Sequence, residues 1–379
     1  VKILTEEKVH PKCATNFLPL GADNTVEVYG STVGASKPTS SVQRTVISDA
    51  VEEVTGYPNK WGPPPFNSRR DHSVALQHAA NNSHGFRPDA LEWAINDYID
   101  PLIARFKKLE LDIRPLSHME TINGVTGMRF VDKIVRNTSI GFPRSGPKNE
   151  YMIKLEPTEE HADPVDLDEE TMLEVERMLK AYRAGERAYS PAKTALKDEP
   201  TKLTKDKCRI FYVTNTALQY LVRKYFLTIC AAYSTVPLLS NCAVGINRQG
   251  PEWDDLMKYL REHGDDRIFA GDYSKFDLHM PCQIVRAAFE CHLRVAKAFG
   301  YTDDDILIMN GIAADLANPI LAFNGTLLQL GSLHVSGNNL TVYNGSIGNN
   351  LYLRCHYFEN CDPSVPFRDV ANMVTYGDD

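Results

Sequence analysis

A chain of 379 residues with 43% hydrophobic content can bury a large core, as one elaborate domain or as two or three subdomains, which excludes disorder as its overall description. It contains no apolar run of roughly 18 residues and no basic-then-apolar start, so neither a membrane span nor a secretory leader is read from it. The net charge of -8 counts against a nucleic-acid partner only if it is evenly spread.

It is not. Leu155 to Glu176 holds ten acidic residues and no Lys or Arg, whereas Lys180 to Lys224 holds eleven basic residues against four acidic ones. The acidic stretch reads as a solvated face. The basic stretch is a candidate phosphate-binding surface. The eight cysteines (Cys13, Cys208, Cys230, Cys242, Cys282, Cys291, Cys355, Cys361) are scattered without C-x-x-C spacing, and read as reduced thiols of a cytosolic protein.

In chain order, the segment through Trp61-Gly62-Pro63-Pro64-Pro65 is broken by Gly and Pro and is expected to be irregular with short strands, organised helix beginning only later. Pro88 in a first turn, with Leu91, Ile95 and Tyr98 on one face, predicts a helix that Pro101 should kink or break. Met172, Val175, Leu179 and Tyr182 predict a second, with acidic residues at its start and Gly185 at its end. Arg267-Ile268-Phe269-Ala270 reads as a strand. After Pro281 a third helix carries the stripe Val285, Ala288, Cys291 and Val295, expected to pack against a sheet. Ile320 to Phe323, then Asn324-Gly325, then Thr326 to Leu328 predict a hairpin, because Asn-Gly tolerates the positive φ of a tight turn. Strand pairs interleaved with helices argue for an α+β design rather than a regular parallel sheet.

The chemistry starts at Thr375-Tyr376-Gly377-Asp378-Asp379, where two adjacent carboxylates stand on a turn that a Gly makes possible. Asp-Asp alone is commonplace on loops. Upstream, Gly271-Asp272-Tyr273-Ser274-Lys275-Phe276-Asp277 places a second acid pair after the expected strand at 267–270. If the two strands lie side by side, Asp272, Asp378 and Asp379 converge as three oxygen ligands suited to magnesium. Two such ions can activate an attacking hydroxyl and stabilise a leaving pyrophosphate, which is nucleotidyl-transfer chemistry.

These motifs together resemble the RNA-dependent RNA polymerases of picornavirus-like positive-strand RNA viruses. Thr138-Ser139-Ile140-Gly141-Phe142-Pro143 looks like the family's template-entry motif. Lys197-Asp198-Glu199 with Lys207-Cys208-Arg209 looks like the basic motif that holds incoming triphosphate. Val244-Gly245-Ile246-Asn247 with Trp253 is similar to the segment before the first catalytic strand. Asp272 and Asp277 match the first palm motif, Ser336-Gly337 with Thr341 the second, and Gly377-Asp378-Asp379 the third. The surroundings of Asn338 to Thr341 and of Trp61 look closer to marine and arthropod picorna-like viruses.

The resemblance implies a right-hand polymerase with an antiparallel palm sheet packed on helices. It implies fingers over 1–230, the first dozen residues being polyprotein linker, then palm over 231–317, a fingers return over 318–334, and palm again over 335–379. It implies catalysis by Asp272, Asp378 and Asp379 around two Mg2+ ions, for which Mn2+ can substitute. Lys197, Lys207 and Arg209, with Asp198 and Glu199 steadying them, would bind triphosphate. Asp277 and Thr341 would recognise the ribose 2′-hydroxyl beside Ser336 and Gly337, the glycine letting template or substrate come close. Thr138, Ser139, Gly141 and Pro143 would guide template.

One departure concerns that ribose contact: the family usually places an Asn nine residues after the Ser of the second motif, and Gly345 stands there, leaving Asn344 or Asn349 to serve, with Asn344 assigned. Another is His334, where Pro is common, which is read as structural. The implied partners are RNA template and primer, ribonucleoside triphosphates, a viral protein primer and other replication proteins, at membrane-associated complexes in the host cytoplasm. The later palm helix, primer-grip hairpin and thumb of the family are not in the chain, so as written it is expected to fold in part and polymerise poorly. A reverse transcriptase is disfavoured by Asp277, where those enzymes carry a bulky aromatic. A non-catalytic RNA-binding protein on a degenerate fold is disfavoured by three acids that binding alone does not require.

Overall fold

The run Thr216–Thr235 is apolar apart from Gln219, Arg223 and Lys224 and a few hydroxyls, and a helix apolar over most of its circumference belongs in the interior. The structure, a computed structural model describing residues 2–3, 26–32, 34, 38–80, 85–331 and 333–379, builds its larger core around this helix. Asn215 caps it, its Oδ1 accepting from Leu218 N at 2.8 Å. Around it lie the helices Pro88–Lys108, Glu169–Arg183, Cys282–Ala298, Asp303–Ala317 and Thr341–Asn360. The stripe Val285, Ala288, Cys291 and Val295 is fully buried, but against the 88–108, 216–235, 303–317 and 341–360 helices rather than a sheet. Periodicity reveals that a face is buried and not what buries it.

Pro101 does not break its helix, which runs 21 residues. A proline removes the amide that would serve the carbonyl four residues back, here Asp97. That carbonyl instead accepts from Arg368 Nη2 at 3.2 Å, and the neighbouring Tyr98 carbonyl from the same atom at 3.3 Å. A distant guanidinium has replaced the missing donor.

A second, smaller core belongs to a sheet with spatial order Lys2–Ile3, Val26–Ser31, Thr326–Leu330, Ile320–Phe323, Pro191–Leu196, Ile210–Val213. Its outer pair 2–3/26–31 and the pair 191–196/320–323 are parallel; the other three pairings are antiparallel. The expected hairpin forms, with Asn324 (φ 46°) and Gly325 (φ 96°) at its turn. It carries the chain out of the helical core into the sheet. Ser68–Ala79 covers that sheet through Ala75, Leu76 and Ala79, and His72 Nε2 meets Thr194 Oγ1 at 3.0 Å.

Organised helix begins earlier than Pro88, in Ser48–Thr55 and Ser68–Ala79. The first buries no residue, and is closed by Gly56 at φ 68°. Arg44 steadies it through Ser48 Oγ and Glu52. With only Val51 and Val54 for an apolar face, it carries little periodic signal. No helix is long and apolar enough to cross a membrane among the described residues.

Candidate active site

The acid turn is held from two sides. After the short helix Pro237–Ser240, Asn241 adopts the left-handed conformation and turns both its backbone and its amide toward 373–375. Its carbonyl accepts from Thr375 N at 2.9 Å and Thr375 Oγ1 at 2.7 Å, and its Nδ2 donates to Met373 O at 2.9 Å. Ala243 N returns a bond to Thr375 O at 2.8 Å. From the other side, the helix Thr341–Asn360 reaches Gly377: Ser346 Oγ accepts from Gly377 N at 3.0 Å and Asn349 Nδ2 donates to Gly377 O at 2.8 Å. Gly377 sits at φ 70°, and Tyr376 N closes the turn onto Asp379 O at 2.9 Å. Asp378 and Asp379 stand exposed at the tip.

Asp277 gathers the charged groups of the site. Burial pushes its carboxyl up and the Asp378 carboxylate adds to this, while His334, Arg209 and Lys197 oppose it. An acid from the first motif, an acid from the third and two cations from the basic motif therefore share one electrostatic neighbourhood. His334 is tied into it. Its backbone N donates to Asp277 O at 2.8 Å, and its Nε2 lies 3.0 Å from Thr341 O, linking the first motif to the second. The buried Tyr212 hydroxyl and Ser336 Oγ have no hydrogen-bond partner; the Tyr212 phenol is pushed up by burial and, secondarily, by Asp277.

Asp272 is not brought into this group. Residues 267–270 form no strand, contrary to the sequence reading, and Asp272 is exposed. A strand exists only where its amides and carbonyls find a neighbouring chain, and 373–375 already pairs with 241–243. Phe269, 84% exposed, shows how little covers this segment. Among the described residues no three His, Cys, Asp or Glu side chains come close enough to hold a metal ion. The donor chemistry of Asp272, Asp378 and Asp379 suits magnesium, since all are hard oxygens; their arrangement does not bring three together.

The basic motif is held differently from expectation. Glu199 pairs with both Lys197 (3.1 Å) and Arg209 (3.5 Å), but Asp198 faces away and accepts from Ser40 Oγ, Ser41 N and Ser41 Oγ. Lys207 is near enough to lower the pKa of His78, after burial, Lys275 and His279. In the 138–143 loop, Lys148 Nζ donates to Thr138 Oγ1 at 2.6 Å and Gly141 N to Ser139 Oγ at 3.2 Å. Gly141, at φ 90°, lies against Asn215, and Pro143 follows it in the same loop.

Three residues of the second motif have structural neighbours where ligands were expected. A Cβ on Gly337 would stand 1.6 Å from Tyr212 O, so its glycine admits the chain's own strand, not template. The Thr341 hydroxyl lies 2.9 Å from the carbonyls of both Ser336 and Asn338, knotting the loop. Asn344 is buried and its Oδ1 accepts from His292 Nε2 at 2.8 Å, which turns it away from any nucleotide. Asn349 holds the acid turn. The sequence had no signal for Asn241 or Ser346, because their partners lie far along the chain.

A sheet and helices arranged in this way define a right-hand polymerase: the solved Sicinivirus 3Dpol RNA dependent RNA polymerase is similar with a TM-score of 0.69, covering 92% of this chain and 69% of that one at 18% identity. The family model for viral RNA-dependent RNA polymerase matches residues 88–379, and the chain belongs to that family. Its relatives include the Drosophila C virus replicase polyprotein (25% identical, 70% of this chain, 16% of the relative) and the Deformed wing virus genome polyprotein (24%, 96% and 13%). The Cherry rasp leaf virus RNA1 polyprotein is 26% identical over 70% of this chain. These place it among the polymerases of picornavirus-like viruses, and it spans a small part of each polyprotein.

Proposed function

We propose that this chain carries the catalytic region of an enzyme that copies an RNA template from ribonucleoside triphosphates for viral genome replication. The observation that carries this is the neighbourhood of Asp277, a carboxyl close enough to Asp378, His334, Arg209 and Lys197 to feel the charge of each, with Arg209 open to solvent. Like charges held together are relieved by a cation, and a triphosphate needs cations of its own. Asp378 and Asp379, with Asp272 brought alongside, would hold the divalent ions, magnesium or manganese. Held by these carboxylates, such ions would supply Lewis-acid activation of an attacking hydroxyl and charge neutralisation at a leaving pyrophosphate. Lys197, Lys207 and Arg209 bind the triphosphate. Asp277 and the unpartnered Ser336 Oγ offer polar contacts to the ribose, since a buried orphan hydroxyl is satisfied by an entering polar group. Thr138 to Pro143 borders the template path.

On this reading fingers occupy 1–230 and 318–334, and palm the remainder. Primer, protein primer, other replication proteins and a cytoplasmic membrane-associated complex belong to the same proposal. The test measures ribonucleotide against deoxyribonucleotide incorporation on primed RNA with magnesium, using the protein as its genome encodes it. Wild type should extend with ribonucleotides, and Asp378→Ala should lose about two to three orders of magnitude while still binding RNA. If neither protein extends and both bind RNA equally, a non-catalytic RNA-binding protein takes its place, a reading that the separation of Asp272 favours.

A further inference from the structure

Gly377 has both of its backbone polar groups taken by side chains of one helix. Its N–H goes to Ser346 Oγ at 3.0 Å and its carbonyl to Asn349 Nδ2 at 2.8 Å. Ser346 is fully buried and Asn349 is 3% exposed, so water does not compete for either bond. Residues three apart on a helix share a face, and Gly345 precedes that face. A Cβ on Gly345 would stand 3.0 Å from Gly377 Cα and 3.2 Å from its carbonyl carbon, tighter than ordinary contact. The departure from Asn at position 345 thus has a physical counterpart: the missing side chain lets the turn seat directly against the helix backbone.

We propose that Gly345, Ser346 and Asn349 form a clamp on Gly377 that sets where the Asp378 and Asp379 carboxylates stand, making all three positioning residues for divalent-cation binding. This rests on reading the turn as the metal-binding end of a polymerase. Ser346 holds the Tyr376–Gly377 peptide plane and Asn349 the Gly377–Asp378 plane, so losing either bond lets the backbone entering Asp378 rotate. The carboxylates keep their identity and lose their aim. Groups that orient metal ligands are characteristically costly to remove for this reason.

The experiment uses the protein as its genome encodes it. Mn2+ binding is measured by electron paramagnetic resonance without nucleotide, alongside the Mn2+ dependence of ribonucleotide incorporation. Asp378→Ala serves as the control that identifies the carboxylate site. Asn349→Ala is expected to weaken Mn2+ binding by about tenfold and to lower kcat by a similar factor, while KM for the nucleotide changes by less than about twofold. Ser346→Ala, which removes one buried oxygen, should move the same quantities in the same direction. The double variant should fall short of the product of the two, because both act on one residue, Gly377. Should Asn349→Ala not fold, Ser346→Ala decides.

Variants that fold and bind Mn2+ as wild type does would overturn the clamp, as would a loss confined to thermal stability. A wild type that incorporates no ribonucleotide yet binds Mn2+ in a clamp-dependent way would sink the polymerase reading and leave the clamp standing.

Discussion

The two acid-bearing segments of the site are built by opposite means. The turn at 376–379 is preceded by a strand-like run whose amides and carbonyls are matched by Asn241 and Ala243, and its glycine is gripped by Ser346 and Asn349. The segment at 267–273 has no strand partner, exposes Ile268 and Phe269, and leaves Asp272 in solvent. A carboxylate is only as well placed as the backbone that carries it, so the first acid group is aimed and the second is not. On the proposed function, the difference locates the reorganisation that a metal-bound state would require: Asp272 would have to move toward the turn.

The largest effect expected from breaking this contrast falls behind the held side. Arg354 is wholly buried, its Nε donating to Asp97 Oδ2 at 2.8 Å and its Nη1 to Asn350 Oδ1 at 2.7 Å. Arg354→Ala strands a buried carboxylate and should cost about 3–5 kcal/mol in denaturant unfolding. A stability near that of wild type would show that the turn's support lies elsewhere.

His292, on the face against which the 341–360 helix packs, is lowered by burial to about 4, the Asn344 bond opposing this. A folded-state pKa below the ordinary 6.5 means that the unfolded chain takes up the proton first. Stability is therefore complete above pH 6.5 and falls as pH drops toward 4, by up to about 3 kcal/mol. Unfolding free energies of wild type and His292→Gln across that window measure it, and a parallel decline in both would count against His292.

Asn344→Ala should cost about 1–2 kcal/mol, by orphaning the imidazole, and leave ribonucleotide selectivity unchanged; altered selectivity would return Asn344 to the nucleotide site. Smallest is Phe269→Ser on the free segment, expected to stay within about 0.5 kcal/mol of wild type. A larger loss would mean that 267–273 is packed in solution.

The hairpin at 320–330, the capped 169–183 helix and the ordered polymerase motifs were legible because each rests on local rules: turn chemistry, capping and spacing. What the sequence hid depends on partners far along the chain. The strand expected at 267–270 has the right composition and lacks a neighbour to bond with. Asn344 and Asn349 are equivalent on paper, and only the rotation of their helix sends one to His292 and the other to Gly377. Asp198 sits between two residues of the basic motif, yet Ser40 and Ser41 claim it.

Pro101 has a consequence beyond its own helix. By withholding one amide it leaves an open acceptor on the wall of the 88–108 helix, and the occupant is Arg368, whose backbone lies nine residues before Gly377 in sequence. The same Asp97 offers Oδ1 to Phe367 N and Oδ2 to Arg354. The interruption works as a socket, and the strand-like arm that ends in Asp378 and Asp379 is plugged into it. Filling the socket with Pro101→Ala would let the helix close over its own carbonyl and compete with the plug, so a residue that reads as a helix breaker is here a connector between the scaffold and its working end.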